Sequence, residues 1–270
     1  MGWLTDTHCH LNLNTFQEHL DPILERAWER GIGRILIPGI DVATSHAAVS
    51  LAERHENLYA AVGVHPGDAS TWQSGTLDDL RELARHPKVA AIGEIGLDYY
   101  RDHSPRPLQR EVFQAQLALA AELDLPVVIH NRDAIDDLWY DLTAWQAGLA
   151  RSGSALAERP GVLHSYDGTL EAARQAIAIG FFIGISGPVT YKNARERQRI
   201  VSALPLEHLL VETDAPFLTP HPYRGRWPNE PANVAFVIEK VAELHELPLE
   251  TVIQTTWNNA AQLFNWRANS

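Results

Sequence analysis

Cys9 is the only cysteine in 270 residues, so no intrachain disulfide can form, and a reducing cytoplasm is the expected home. No apolar run is long enough to span a bilayer, and the first residues lack the basic-then-apolar pattern of a secretory signal. Basic residues are also scarce: 22 Lys and Arg stand against 34 Asp and Glu, for a formal net charge of −12. That balance argues against a protein that coats nucleic acid non-specifically, and with no spanning run no membrane partner is expected. It leaves room for an enzyme that grips a few phosphates at one local patch. Low-complexity tracts and domain-splitting linkers are missing too, so residues 1–270 read as one domain, near the size of a single α/β barrel.

What is present is an alternation. Eight β-rich runs recur, at Leu4–Leu11, Ile32–Ile40, Leu58–His65, Val89–Gly96, Pro126–His130, Gly161–His164, Phe181–Ser186 and Leu209–Thr213. Segments of helical character separate them: Phe16–Arg30, Ala43–His55, Thr76–Arg85, Pro107–Leu123, Ala134–Gly148, Thr169–Ile179 and Ala194–Ala203, with Ala232–Leu244 and Leu249–Phe264 closing the chain. Short, nearly continuous apolar strands between amphipathic helices indicate a parallel sheet covered by helices. Eight such units predict a (β/α)8 TIM barrel. Ala150–Pro160 reads as a surface loop, whereas Thr219–Pro231 is too rich in specific side chains to be a bland connector.

In a barrel, reactive groups come from the C-terminal ends of the strands. Those ends carry His8 and His10, His65, Glu94, His130, His164 and Asp214. His8 and His10 are two apart, so an extended chain points both imidazoles to one face. An isolated H-x-H is more often one buried and one exposed histidine. With His65 set aside, four histidines and two carboxylates converging on one rim are another matter, because buried acids without compensation are costly and metal ions compensate them. His65 fits either a ligand or a hydrogen-bond donor to a substrate oxygen, and the donor reading is preferred. His19, His46, His55, His86, His103, His208, His221 and His245 fall on helices and loops and read as solvated, His221 being the first exception to consider.

With those residues in place, the sequence resembles the TatD family of metal-dependent hydrolases, in the branch that keeps the N-terminal H-x-H. The resemblance runs through Asp6–Leu11, Val62–Asp68, Gly93–Tyr99, Ile129–Ala134, Glu212–Phe217 and Pro222–Gly225, nearly the whole chain. It implies a barrel related to the amidohydrolases that hydrolyses DNA phosphodiesters with two divalent ions. His8, His10 and Asp214 would hold one ion, His130 and His164 the other, with Glu94 bridging. The ligand types suit Zn, Mn or Fe, whereas the family is described as using Mg or Mn. Two ions sharing a water would acidify it, and Asp214 is placed to accept its proton. Where the family commonly has His-Cys-Phe-Ser-Gly, this chain has His164-Ser165-Tyr166-Asp167-Gly168, and Asn131 replaces a usual serine. An inward Asp167 would repel a phosphate.

Candidate phosphate contacts are Arg101, Lys192, Arg195, Tyr223, Arg224 and Arg226, Arg224 foremost because Pro222–Gly225 follows the strand-eight ligand. The Lys192–Arg199 stretch otherwise reads as a solvated helix face. Tyr99, Tyr191, Tyr223 and Trp227 are candidates for stacking on bases. A narrow barrel mouth admits one strand more readily than a duplex, so single-stranded or frayed DNA is the expected substrate. Two alternatives stay open: a binuclear ester or amide hydrolase, such as a D-aminoacyl-tRNA deacylase, and a non-catalytic metal-dependent nucleic-acid-binding protein. An intact Asp214 counts against the second.

Overall fold

A computed structural model describes residues 3–101 and 103–266. Eight parallel strands follow one another around a sheet in chain order: β1 (Leu4–Asp6), β2 (Ile32–Pro38), β3 (Leu58–Val62), β4 (Val89–Asp98), β5 (Val127–Arg132), β6 (Gly161–Leu163), β7 (Phe182–Ile185) and β8 (Leu209–Val211). Around them run α1 (Leu20–Glu29), α2 (Val42–Arg54), α3 (Thr76–Ala84), α4 (Arg106–Leu123), α5 (Ile135–Ser152), α6 (Leu170–Ala178), α7 (Arg195–Ala203), α8 (Val234–His245) and α9 (Leu249–Leu263). The sheet closes just beyond the ends of β1 and β8. There Thr7 N donates to Val211 O (3.1 Å), His10 N to Ala215 O (2.8 Å), and Asp214 N to His8 O (2.8 Å). This is the expected (β/α)8 barrel.

Strands read as unbroken apolar runs because both faces are covered: every residue of β2 and of β4 is buried. Period-two alternation then decides which side chains point inward. Leu36, Ala61, Val128, Val162 and Leu210 join one apolar cluster with Phe264 and Trp266 of the C-terminal segment. Trp266 packs on Tyr59 at the start of β3, so this cluster plugs the end of the barrel where the strands begin. Two or four residues further along the same inward faces come His65, His130, His164 and Asp214. The apolar plug is the floor of the chamber, and the ligand-type side chains are its upper layer.

Several expected boundaries shift. β1 ends at Asp6, so the H-x-H lies on the extended closing segment rather than in the strand. The first helix begins at Leu20, after a separate 3-10 turn at Asn14–Phe16. Ala150–Pro160 is not all loop. α5 continues to Ser152 and ends where Gly153 takes a φ of 70°, and a 3-10 turn follows at Ala155–Glu158. Gly148 lies inside the helix, and the left-handed cap that ends it is Gly153. Thr219–Pro231 does lack α-helix and strand.

Candidate metal centre

The closing segment between β1 and β8 sets up the first donor group. His8 Nε2 and His10 Nε2 lie 3.1 Å apart. Glu94 Oε2 is 3.3 Å from His8 and 3.5 Å from His10, and Asp214 Oδ1 is 3.6 and 3.5 Å from them. Four ligands about 2.0–2.2 Å from a tetrahedrally held ion sit about 3.3–3.6 Å from one another. The spacing therefore fits a small divalent cation, and two ring nitrogens facing two carboxylates require positive charge among them. The Nδ1 atoms of His8 and His10 have no hydrogen-bond partner among the described residues. Packing holds His8 instead, stacked on His164 with centroids 3.9 Å apart.

A second group gathers on the other oxygen of the same carboxylate. Glu94 Oε1 is 2.9 Å from both His130 Nδ1 and His164 Nε2, and 3.7 Å from His65 Nε2. Hydrogen bonding separates the roles of these rings. His130 stands between two carboxylates, Nε2 facing Asp98 Oδ2 at 3.2 Å and Nδ1 facing Glu94; with a cation beside Glu94, Asp98 would keep the ring proton on Nε2 and free the Nδ1 lone pair for the ion. His65 is reversed: its Nδ1 accepts from Gly67 N (2.9 Å), so the neutral ring carries its proton on Nε2. Burial pulls the His65 pKa down to about 3, so the ring is neutral at ordinary pH. In that state His65 offers a donor, not a lone pair, to the cavity.

The electrostatics match a site built for cations. Burial works to raise both carboxyls, yet the neighbouring histidines hold Glu94 well below its usual range and Asp214 below its own. Burial also opposes charge on His164, but Glu94 and Glu212 outweigh it and push that ring well above its usual value.

Three further carboxylates, Asp98, Asp6 and Glu212, support the ligand-type side chains. Asp98, at the end of β4, orients His130 and accepts from the backbone N of Tyr100 (3.0 Å) and Arg101 (2.8 Å). Asp6 receives Thr213 N (2.9 Å), Thr213 Oγ1 (2.6 Å) and His8 N (3.3 Å), tying the His8 turn to the Asp214 turn. Glu212 accepts from Ser165 N and lies 3.7 Å from His164 Nδ1. It occupies the space left by Gly184, where a Cβ would come within 2.6 Å of its carboxylate.

The donor groups open into a cavity of about 640 Å³. Of the expected substrate contacts, His65 and Arg101 line it. Lys192, Tyr223 and Arg224 do not. The Thr219–Pro231 loop is pinned by Thr219 Oγ1 to Arg226 O (2.7 Å) and by Tyr191 OH to Thr219 O (3.0 Å), and its polar tips turn away. Arg224 lies 4.0 Å over the Tyr191 ring and donates to Asn193 (3.3 Å), Tyr223 packs on Phe236, Arg226 covers Tyr223, and Lys192 and Arg195 are exposed. Of the expected stacking residues, Trp227 alone faces the cavity, and His103 lines it where His221 does not.

Arg132 and Arg197 line the cavity and were missed. Arg197 belongs to the stretch read as a solvated face, but burial lowers its pKa and its guanidinium donates to Tyr166 O (2.9 Å). Asp167 does face inward, and its charge falls on Arg197. Tyr166 is instead buried, its hydroxyl donating to Thr169 O (2.6 Å).

The family described as "TatD related DNase" matches residues 5–265. The uncharacterized metal-dependent hydrolase YabD of Bacillus subtilis is 42% identical over 97% of this chain and 98% of its own length. The protein named 3'-5' ssDNA/RNA exonuclease TatD of Shigella flexneri is 36% identical over 96% and 98%. Among solved structures, the TatD homologue YjjV of Escherichia coli superposes with a TM-score of 0.89 at 34% identity, covering 98% of both chains. Since the match takes in all eight strands and every ligand-type side chain at their ends, the chain belongs to the TatD family and is a metal-dependent hydrolase.

Proposed function

We propose that this chain hydrolyses phosphodiester bonds in single-stranded DNA, removing nucleotides from the 3′ end, with two divalent ions held on the shared carboxylate of Glu94. The observation that carries the two-ion reading is the division of Glu94, one oxygen to His8 and His10 and the other to His130 and His164. Asp214 completes the first set. Bound there, such ions supply an acidified water and positive charge against the phosphate oxygens. Mn or Zn suits the nitrogen-rich donor set, with Mg the more oxygen-loving candidate.

The chain's own groups do the rest. Asp214 is held ionised below its usual range, and Oδ1 is engaged with His8 and His10, which leaves Oδ2 to take the proton of the attacking water. His65 Nε2–H donates to a non-bridging phosphate oxygen, its ring fixed by Gly67. Arg101, Arg132 and Arg197 supply the cavity wall with the positive charge a phosphate chain needs. The relatives named 3'-5' ssDNA/RNA exonuclease support the choice of substrate and end.

The test is an Asp214→Asn protein loaded with Mg, Mn or Zn and given end-labelled single- and double-stranded DNA. Loss of the base should slow cleavage by about 10²–10⁴-fold while strand binding survives. A variant keeping more than about a tenth of the parental rate would assign the proton to another group.

A further inference from the structure

The order of strands around the barrel sorts the cavity rim into opposed walls. β8 and β1 meet at the closure, and β4 and β5 lie across the chamber from them. The loop after β8 contributes Phe217 and Trp227, with ring centroids 5.6 Å apart. Phe217 stands edge-on to the ligand His10 at 6.2 Å. Both aromatics line the cavity, yet they are 43% and 61% exposed. An apolar pair left open beside a charged centre has no packing reason to be there.

The far wall is cationic. Arg101 follows β4 and Arg132 ends β5, both lining the same cavity. The Arg132 guanidinium is stacked 4.1 Å over the Tyr100 ring, and none of the ion pairs among the described residues includes it. A guanidinium held flat by a ring, with no carboxylate partner among the described residues, is prepared for an anion. Between the two walls sits the Glu94 donor set.

Resting on the phosphodiester reading above, we infer that the aromatic wall stacks the base of the 3′-terminal nucleotide. The guanidinium wall holds the phosphate on the other side of the scissile one. A single strand then lies across the metal centre from the β8 side to the β5 side. Stacking on Trp227 accepts any base, because every base has a π face. An ester with one acyl group would leave the guanidinium wall unused, and a simple sugar phosphate would leave the aromatic wall unused.

The experiment measures binding and cleavage separately on the metal-loaded protein. Two short oligodeoxynucleotides carry a non-hydrolysable phosphonate at the 3′ linkage, one ending in an intact nucleotide and one in an abasic residue. The parent should bind the intact ligand roughly tenfold more tightly. Trp227→Ala should erase that difference and Trp227→Phe should keep it. Arg132→Ala should weaken both ligands alike and reduce the log–log salt slope by roughly 0.7. A base preference unchanged in Trp227→Ala, or an unchanged salt slope in Arg132→Ala, overturns the assignment. Cleavage of the natural linkage is scored alongside. If the parent cuts no strand while the binding pattern holds, the nuclease reading fails and the two walls stand as a strand-binding site. Cleavage without the pattern removes the walls alone.

Discussion

Asp6 illustrates how one buried group can matter without touching substrate. Burial pushes its carboxyl up to about 8, against the hydrogen bonds from Thr213 and His8 that favour the charged form. In the unfolded chain the same group ionises near an ordinary aspartate value, about 3.9. Between those two values the folded state holds more protons, so this residue makes metal-free protein less stable as pH rises from about 4 to about 8. Asp6→Asn keeps the shape and removes the titration. The parent's melting temperature should therefore fall relative to Asp6→Asn across that window, as calorimetry at several pH values would reveal. Parallel curves would mean that Asp6 titrates normally. The expected ligand-type residues His8, His10, His130, His164 and Asp214 stood out in the sequence because each follows an apolar run, and Glu94 because it is an acid inside one that continues to Asp98. Asp6, Asp98 and Glu212 did not, since an acid that orients another side chain carries the same local signature as a solvated one. Arg197 was hidden for a related reason: on a charged helix only packing tells which arginine turns inward.

At the scale of elements, α4 does more than cover the barrel. Gln109 and Gln116 are seven residues apart, two helical turns, and so share a face. Gln116 Oε1 accepts from Val64 N (2.7 Å) and its Nε2 donates to Val64 O (3.1 Å), just before His65. Gln109 does the same for Asp98, accepting from its N (2.9 Å) and donating to its O (3.0 Å). These amides act as a surrogate strand, one for Val64 just beyond β3 and one for Asp98 at the last residue of β4, fixing the ends of both strands beside site residues. Gln116→Leu removes both bonds and leaves the buried Val64 amide unpaired, which should cost about 1–3 kcal/mol in urea unfolding. No measurable loss would mean that the backbone finds other partners. The strand-and-helix alternation was readable, and its periodicity placed every strand. Exact stops were not, because a helix ends at the residue that adopts a left-handed cap, as Gly153 does, and composition alone does not choose between Gly148 and Gly153.

For the whole molecule, barrel closure is what brings the first residues and the last strand together. His8 and His10 stand at one end of the described chain order and Asp214 far along it, joined by the Asp214 N to His8 O bond (2.8 Å). Eight strands in sequence were foreseeable, and the convergence of their ends follows from that topology. The direction of the Thr219–Pro231 loop was not, because its course depends on the bonds from Tyr191 and Thr219 that send Arg224 outward. The net charge of −12 gives the surface as a whole no attraction for a polyanion, so under the proposed nuclease reading strand affinity would come from the cavity and should be salt-dependent. The central claim is that one carboxylate, Glu94, joins two cation sites into a single centre. Its most direct test is a calorimetric titration of metal-free parent and Glu94→Gln protein with Mn or Zn, with bound metal counted by elemental analysis. The parent should take up two ions per chain, and the variant should bind both much more weakly because each site loses an oxygen. A Glu94→Gln protein that keeps one ion at parental affinity would contradict the shared centre.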